Sequence, residues 1–519
     1  MRSWLLFALA GVVAAGTAQA AVKISSKPTQ NMSCTAGVCT PTSQNANLNA
    51  TDLANMLAIG DATVKTTSQA KDIEIDAALS WISASRLTVD SYRAITVGKF
   101  VSIKGPGALT LMTDDGGTGG DLDFENAGRI AFWDMSSSLI INGASYTLEP
   151  DFTTLVEAML ANPAGRYALA GDSKARRGPY RQSPVDLEFD GTLEGLGNTI
   201  TGLSLAPVQG TAAMITTVGM SGTVRDLSLV KLSIEAHARH YGGLRAVAGL
   251  AGTSLGAIDG VHVSGTLNTS NDYLAHFGLL AADNSGIITK SSASGVIAIS
   301  GTNSAAGGLV GEGGNISWSH ADVDITGVDY TGGLVGSGSN IYDCYATGNV
   351  SGGLTGGLVG ASGGAIVDSF ATGNVSGGAA GGLFGSGDGI DNSITHVYST
   401  GSVSSSGYSG GLGAVSDGAS FDQAYSIGAV TTQGSDPPGG LIAGDYSATF
   451  SASVWDMDTS GITNPAQGAG NIADVPGITG LSDAALKSGL PSGFDPVVWG
   501  QNPSINGGYP YLLANPPPQ

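Results

Sequence analysis

Gly307-Gly308-Leu309-Val310-Gly311 recurs down the chain. Copies stand at Gly332-Gly333-Leu334-Val335-Gly336, Gly356-Gly357-Leu358-Val359-Gly360 and Gly381-Gly382-Leu383-Phe384-Gly385. Weaker ones stand at Gly410-Gly411-Leu412-Gly413 and Gly439-Gly440-Leu441-Ile442. Upstream, Ala248-Gly249-Leu250-Ala251-Gly252 and Phe277-Gly278-Leu279-Leu280-Ala281 fit the same frame. From leucine to leucine the spacings are 29, 30, 25, 24, 25, 29 and 29 residues. A period of this size marks a stacked repeat fold and outranks any local reading.

Each period also holds an apolar-aromatic run, such as Ile341-Tyr342-Asp343-Cys344-Tyr345, Ile366-Val367-Asp368-Ser369-Phe370 or Ile394-Thr395-His396-Val397-Tyr398. A polar-apolar run follows, as in Ala346-Thr347-Gly348-Asn349-Val350 and Ala371-Thr372-Gly373-Asn374-Val375. Three short alternating runs divided by Gly, Ser and Asn read as three strands joined by tight corners. None has the length or period of a helix. The expected class is therefore all-β, a parallel β-helix (β-solenoid) with three faces. Stacking pairs the strand edges that each coil alone would leave open.

The 519 residues include 81 glycines without collagen's period, and only 12% charged residues against 42% hydrophobic ones. That balance predicts order rather than disorder. The net charge is −21, and no Lys or Arg occurs between Ser291 and Leu486. Such a surface repels phosphate backbones and cannot clamp a polyuronate, so nucleic acid is excluded as a partner. Its bland reading is a solubility device.

Residues 1–20 read as a signal peptide: Arg2, an apolar run from Trp4 to Ala15, and Ala18-Gln19-Ala20 before the predicted cleavage. No later stretch has the length of a transmembrane helix. Residues 21–45 are expected to be a flexible leader, in which Cys34 and Cys39 can close a small loop in an oxidising compartment. Cys344, at a position held by Ser369 and Val397 in later copies, reads as a packing residue. Residues 46–150 read as a first β-solenoid region opening with a short helical piece over Thr51–Leu57. Residues 151–185 form a connector with a short helix whose apolar face is Phe152, Leu155, Val156 and Met159. It contains the basic cluster Lys174-Ala175-Arg176-Arg177, read as a solvated loop. Residues 186–445 are the repeat solenoid. After Gly444 the period ends, and 446–519 are expected to cap the last coil's open edge.

The first region resembles the passengers of filamentous-haemagglutinin-like adhesins. The residues carrying this are Leu87-Thr88-Val89-Asp90, Gly107-Ala108-Leu109-Thr110-Leu111 and Ser138-Leu139-Ile140-Ile141-Asn142-Gly143. The Asn-Pro-Asn signature of two-partner secretion is absent from the chain. The repeats, entered at Phe189-Asp190-Gly191-Thr192-Leu193-Glu194-Gly195, resemble the GLUG-motif family of bacterial surface proteins. That motif was first noted in an immunoglobulin-A-cleaving metallopeptidase. The resemblance implies a right-handed solenoid on an exported, often adhesin-like protein. It does not imply peptidase activity, since a zincin needs His-Glu-x-x-His and no His here is followed by Glu.

Candidate chemistry is sparse. Gly116-Gly117-Thr118-Gly119-Gly120-Asp121-Leu122-Asp123 touches the calcium nonapeptide of toxin repeats, but a single partial copy reads as a Gly-rich corner. His237 and His240, beside Tyr241, have a metal-pair spacing only on a helix, and the surroundings read as strand and turn. His262, His276, His320 and His396 are scattered. Asp322 with Asp324, and Asp343 with Asp368 one coil later, are the pairs a pectinase-like site would use. The block's basic residues, Arg225, Lys231, Arg239, Arg245 and Lys290, all lie in other coils. Trp499, Tyr509 and Tyr511 offer a carbohydrate-stacking platform.

The expectation is an exported, secreted or cell-surface adhesin-like β-solenoid. It would bind host or neighbouring-cell surface glycans or proteins through its faces. It is expected to be non-enzymatic, with no catalytic, cofactor-binding or metal residue and no cofactor. The alternative is a secreted polysaccharide-binding or polysaccharide-degrading β-helix.

Overall fold

The computed structural model describes residues 20–117, 119–175, 178–237, 243–271, 274–301, 304–327, 329–338, 340–388 and 393–518. The expected signal peptide lies outside them apart from Ala20, as do Thr118, Arg176, Arg177, Arg239, His240 and Tyr241. The chain is 53% strand and 7% helix and forms a parallel β-solenoid of about 16 turns, so the all-β expectation describes the molecule.

The first section stacks three parallel ladders. One runs through Ala62–Lys65, Arg86–Asp90, Ala108–Met112 and Ser138–Ile141. A second runs through Asp72–Ile75, Ile95–Val97 and Leu122–Phe124. The third runs through Leu79–Trp81, Phe100–Ile103 and Arg129–Phe132. Val64, Val89 and Leu111 are fully buried at alternate strand positions, as a half-buried strand requires.

The leader is not flexible. Ala21–Ser25 is inserted between Ala46–Asn49 and Asp72–Ile75, and Val22 and Ile24 are fully buried. Two branched apolar residues at strand spacing outweigh the polar composition around them. Met32–Thr35 and Val38–Pro41 form an antiparallel hairpin closed by the Cys34–Cys39 disulfide, and its second strand pairs with Ala62–Lys65. The helix Ala50–Ile59 is capped by the Asn49 side chain and buries Leu53 and Leu57.

At the end of this section Ser138–Ile141 pairs antiparallel with Ala144–Glu149, which opens a new parallel ladder through Arg166–Leu169 and Thr192–Glu194. Helix Phe152–Ala161, with a capping box on Asp151, buries Phe152, Leu155 and Met159. Val156 is only partly buried. Residues 166–174, expected in a connector, are already rungs of the second section. Asn198, fully buried, donates to the carbonyls of Ile130 and Leu169 at 2.8 and 3.1 Å and so ties the two sections together.

The Gly-Gly-Leu cores form a tight corner of the second section. Ser304–Gly307 ends at the corner and Val310–Gly313 leaves it, entering a parallel sheet of ten strands, one per coil. Leu250, Leu279, Leu309, Leu334, Leu358, Leu383, Leu412 and Leu441 are all fully buried. Their backbones are linked coil to coil: the Leu309 N–H donates to Leu334 O at 3.0 Å, and that of Leu334 to Leu358 O at 2.8 Å. The glycines serve close approach rather than a left-handed backbone. A Cβ on Gly333 would lie 2.0 Å from Gly357 O, and one on Gly336 would lie 2.5 Å from Ala306 N.

Residues 446–519 do more than cover an end. Ser453–Asp456 and Ile478–Leu481 are two more rungs. The rest folds back along the flank, so that Asn515 reaches Cys344 O and Asp368 O at 3.3 and 3.0 Å. Beneath it lies a stacked ladder, His320–Tyr345–Phe370–Tyr398–Tyr425, with ring centroids 4.7 to 5.0 Å apart. This flank forms a second apolar cluster outside the coil interior, because outward aromatic rings need a cover.

Candidate functional site

The expected aromatic platform does not exist as a surface. Trp499 is 1% and Tyr509 7% exposed, while Tyr511 is half-buried. Trp499 packs on Tyr398 and Tyr425, and Tyr509 hydrogen-bonds Asp483. These rings seal the flank and cannot stack on sugar.

One position in each of eight successive coils is left-handed, following a strand in the first five and lying within a longer strand in the last three. Asp226, Gly260, Lys290, Trp318, Asp343, Asp368, His396 and Gln423 have φ between 47° and 61°. Only one is glycine, and Asp tolerates this backbone better than most residues. Asp343 and Asp368 are thus neighbours, as their spacing suggested. Burial, reinforced by the charge of Asp368, pushes the Asp343 carboxyl up to about 6. Asp368 accepts from His396 Nδ1 at 2.9 Å, and the flank's Trp499 meets the His396 ring edge-on. The pair lies under the C-terminal segment rather than in an open cleft. Cys344 occupies a ladder of buried hydroxyls: its N–H donates to Ser369 Oγ at 3.0 Å and its thiol to Tyr342 O at 3.1 Å. Burial lifts that thiol to about 12, which leaves it unreactive.

The open face is elsewhere. Asp322 and Asp324 point outward from His320–Thr326, alternating with buried Ala321, Val323 and Ile325. Asp322 accepts from Thr347 Oγ1 at 2.8 Å. Asp324 begins an amide ladder. Its Oδ1 accepts from the Asn349 backbone and side chain at 2.9 and 3.0 Å. Asn349 Oδ1 accepts from both groups of Asn374 at 3.2 and 3.1 Å, and Asn374 Oδ1 from both groups of Ser402 at 3.0 and 2.7 Å. Two residues on, Thr326, Ser351, Ser376, Ser404 and Thr431 stand in register. Ile325, Val350, Val375, Val403 and Val430 anchor the same strands inward. The two polar rows border a shallow groove of about 430 Å3.

A second cleft, also about 430 Å3, lies where the first section's Asp123–Gly128 meets Asp226, Asp259 and His262 of the second. Lys290 closes it, its ammonium 2.6 Å from Asp121 and 2.7 Å from Asp123. The acids of the calcium-like stretch are therefore held by a lysine. Burial, with Glu194 close by, lifts Asp226 well above the usual carboxylate range, and burial lifts Asp259. Burial lowers His262, whose Nδ1 lies 2.8 Å from Ser292 Oγ. This cleft was not legible in the sequence, because its walls, residues 123–128 and 226–290, are about one hundred residues or more apart. Nor was the position of His276 between Asp283 and Glu312. His237 is exposed and lies 3.2 Å from Ser270 Oγ, and its expected companion His240 lies outside the described residues.

No family model and no curated protein matches the chain. Solved structures do, two of them as follows. One, an IgA1 protease, is 19% identical with a TM-score of 0.34, over 58% of this chain and 25% of that one. This chain thus spans a quarter of that structure's length. The other, from Bacteroides ovatus and assigned as an immunoglobulin A1 protease, is 15% identical with a TM-score of 0.29, over 71% and 93%. Both neighbours are named as proteases, which runs against the non-enzymatic expectation, and that expectation is withdrawn. At such TM-scores the likeness carries no argument for any activity in this chain, so function has to be argued from its own geometry. Among the described residues, no helix is long and apolar enough to cross a membrane.

Proposed function

We propose that the chain is an exported, adhesin-like β-solenoid with GLUG-type repeats. It holds a neutral glycan of a host or neighbouring cell along the Thr326–Ser351–Ser376–Ser404–Thr431 row. The observation that carries this reading is the pairing of that hydroxyl row with the Asp324–Asn349–Asn374–Ser402 amide ladder along one groove. Hydroxyls and amides supply the donors and acceptors that sugar hydroxyls need. Their repetition at the rung spacing of a sheet, about 4.8 Å, suits a polymer. The absence of Lys and Arg from Ser291 to Leu486 turns the same face away from anionic sugars. Export is supported by the signal-like residues 1–20 and by the Cys34–Cys39 disulfide, a bond of oxidising compartments. A glycan array probed with the full chain tests this. Neutral glycans should bind, and Ser376→Lys should weaken them at least tenfold. Binding confined to anionic glycans would contradict it.

The cleft between the sections favours a second reading, cleavage of a neutral polysaccharide. Carboxyls whose pKa burial raises in a cleft, as at Asp226 and Asp259, are general-acid candidates. Release of reducing ends that is lost in Asp259→Asn would establish it.

A further inference from the structure

We propose that His276 and Glu312 together bind a divalent transition-metal ion of the zinc class, with Asp283 orienting the imidazole and the open coordination positions facing a groove. This goes beyond the glycan reading and does not depend on it.

His276 lies on Ala275–Gly278, Asp283 on Ala281–Asn284, and Glu312 one coil later on Val310–Gly313. The corner folds these strands against one another at glycine distances: a Cβ on Gly311 would lie 2.5 Å from Phe277 N. One ligating atom from each of the three side chains falls within 4.8 Å of the other two. His276 Nε2 is 2.7 Å from Glu312 Oε2, and Nδ1 contacts Asp283 Oδ1. An imidazole ligates through one nitrogen. Here Nε2 faces Glu312 and takes the ion, while Nδ1–H donates to Asp283. That is the carboxylate–histidine–metal arrangement in which an outer carboxylate fixes the tautomer. Imidazole with carboxylate suits zinc and its neighbours better than calcium or magnesium.

The repeat supplies its own control. On the rung of His276 the adjoining coils carry Ala246, Ala305, Tyr330 and Leu354. On the rung of Asp283 and Glu312 they carry Thr253, Ser337 and Ala361. Ligand-type residues thus depart from the repeat in adjacent coils and converge on one point. Asp283 and Glu312 are also direct partners in register, where two like charges oppose each other unless a cation lies between them. The groove beside them, about 540 Å3, is lined by Leu274, Asp329, Tyr330, Ser337 and Leu354. Its acid and hydroxyl leave room for water or a ligand oxygen on the ion, and its open side provides an entry path.

The test is titration of the full chain, stripped with a chelator, with Zn2+ alone by calorimetry or equilibrium dialysis. One ion per chain is expected. His276→Gln should abolish uptake, and Glu312→Gln should weaken it at least tenfold. Asp283→Asn should weaken it by about 10- to 100-fold, the usual cost of losing an outer partner. His237→Ala should leave it unchanged. Cu2+ bound at the site should show magnetic coupling to one imidazole nitrogen, lost in His276→Gln. Absence of saturable uptake, or uptake unchanged in His276→Gln, overturns the proposal. Should that variant fail to fold, unchanged affinity in both Glu312→Gln and Asp283→Asn overturns it equally.

Discussion

The two sections of this solenoid build the same parallel ladder from different materials. In the first, side chains on successive coils are joined by ion pairs: Lys65 to Asp90 at 2.8 Å, Lys23 to Glu74, and Arg93 to Asp72. In the coils from Ser291 to Leu486 there is no Lys or Arg, and amide and hydroxyl ladders occupy the outward positions instead. The first section fills its interior mainly with aliphatic side chains, joined by Trp81 and Phe132, and in the second the Gly-Gly-Leu corner also brings two sheets to backbone contact. The parallel ladder is thus indifferent to how its outside is decorated, provided the inward apolar positions are kept. Exposed ion pairs contribute little, so the inside carries the stability of both sections.

The largest effect should come from that shared inside. Leu358→Asp buries a charge in the corner and should cost about 4 kcal/mol or more, with Val64→Asp comparable. Chemical denaturation checks both, and a tolerated Leu358→Asp would break the equivalence of the sections. Next come the glycines, where the cost should follow the space at each position. Gly333→Ala meets Gly357 O at 2.0 Å and should cost about 1–3 kcal/mol. Gly98→Ala, whose Cβ would find its nearest atoms at 3.5 Å, should stay within about 0.5 kcal/mol.

Smaller differences follow on the outside. Asn349→Ala removes a side chain that both donates and accepts in the ladder and should cost about 1 kcal/mol, unaffected by salt. Lys23→Ala, in a half-exposed pair, should cost under about 0.5 kcal/mol and less at high salt. One outward effect depends on pH. The folded chain holds a proton on Asp343 up to about pH 6, whereas the unfolded chain releases it near 3.8. Stability contributed there therefore falls as pH rises through that window and then levels. Asp343→Asn should remove the slope and gain about 1 kcal/mol at pH 7, after allowance for partial exposure.

How legible each feature was in the sequence follows from the distance over which it is determined. The Gly-Gly-Leu corner is local and repeated in register, so the buried leucine ladder could be read directly. The strand at Ala21–Ser25 could not, because two apolar residues in a polar leader gain their meaning only from partners at 46–49 and 72–75. Tyr345, Phe370 and Tyr398 were visible as a periodic aromatic position, yet nothing local shows that Trp499 and Asn515 return to cover them. Asp343 and Asp368 were legible as neighbours because one repeat separates them. The convergence of His276, Asp283 and Glu312 was not, since it depends on two strands meeting face to face across a corner. Its one sequence trace is that Asp283 and Glu312 replace the small residues of the other coils.

Stability resides in the glycine corner and the apolar interior, and the proposed binding in the outward hydroxyl row. Ser376 is exposed, with Val375 anchoring its strand inward. Measuring melting temperature and neutral-glycan affinity together on Ser376→Lys tests that division most directly. An unchanged melting temperature and an affinity at least tenfold weaker are expected. Unchanged affinity would contradict it, and so would a failure of the parent chain to bind any neutral glycan.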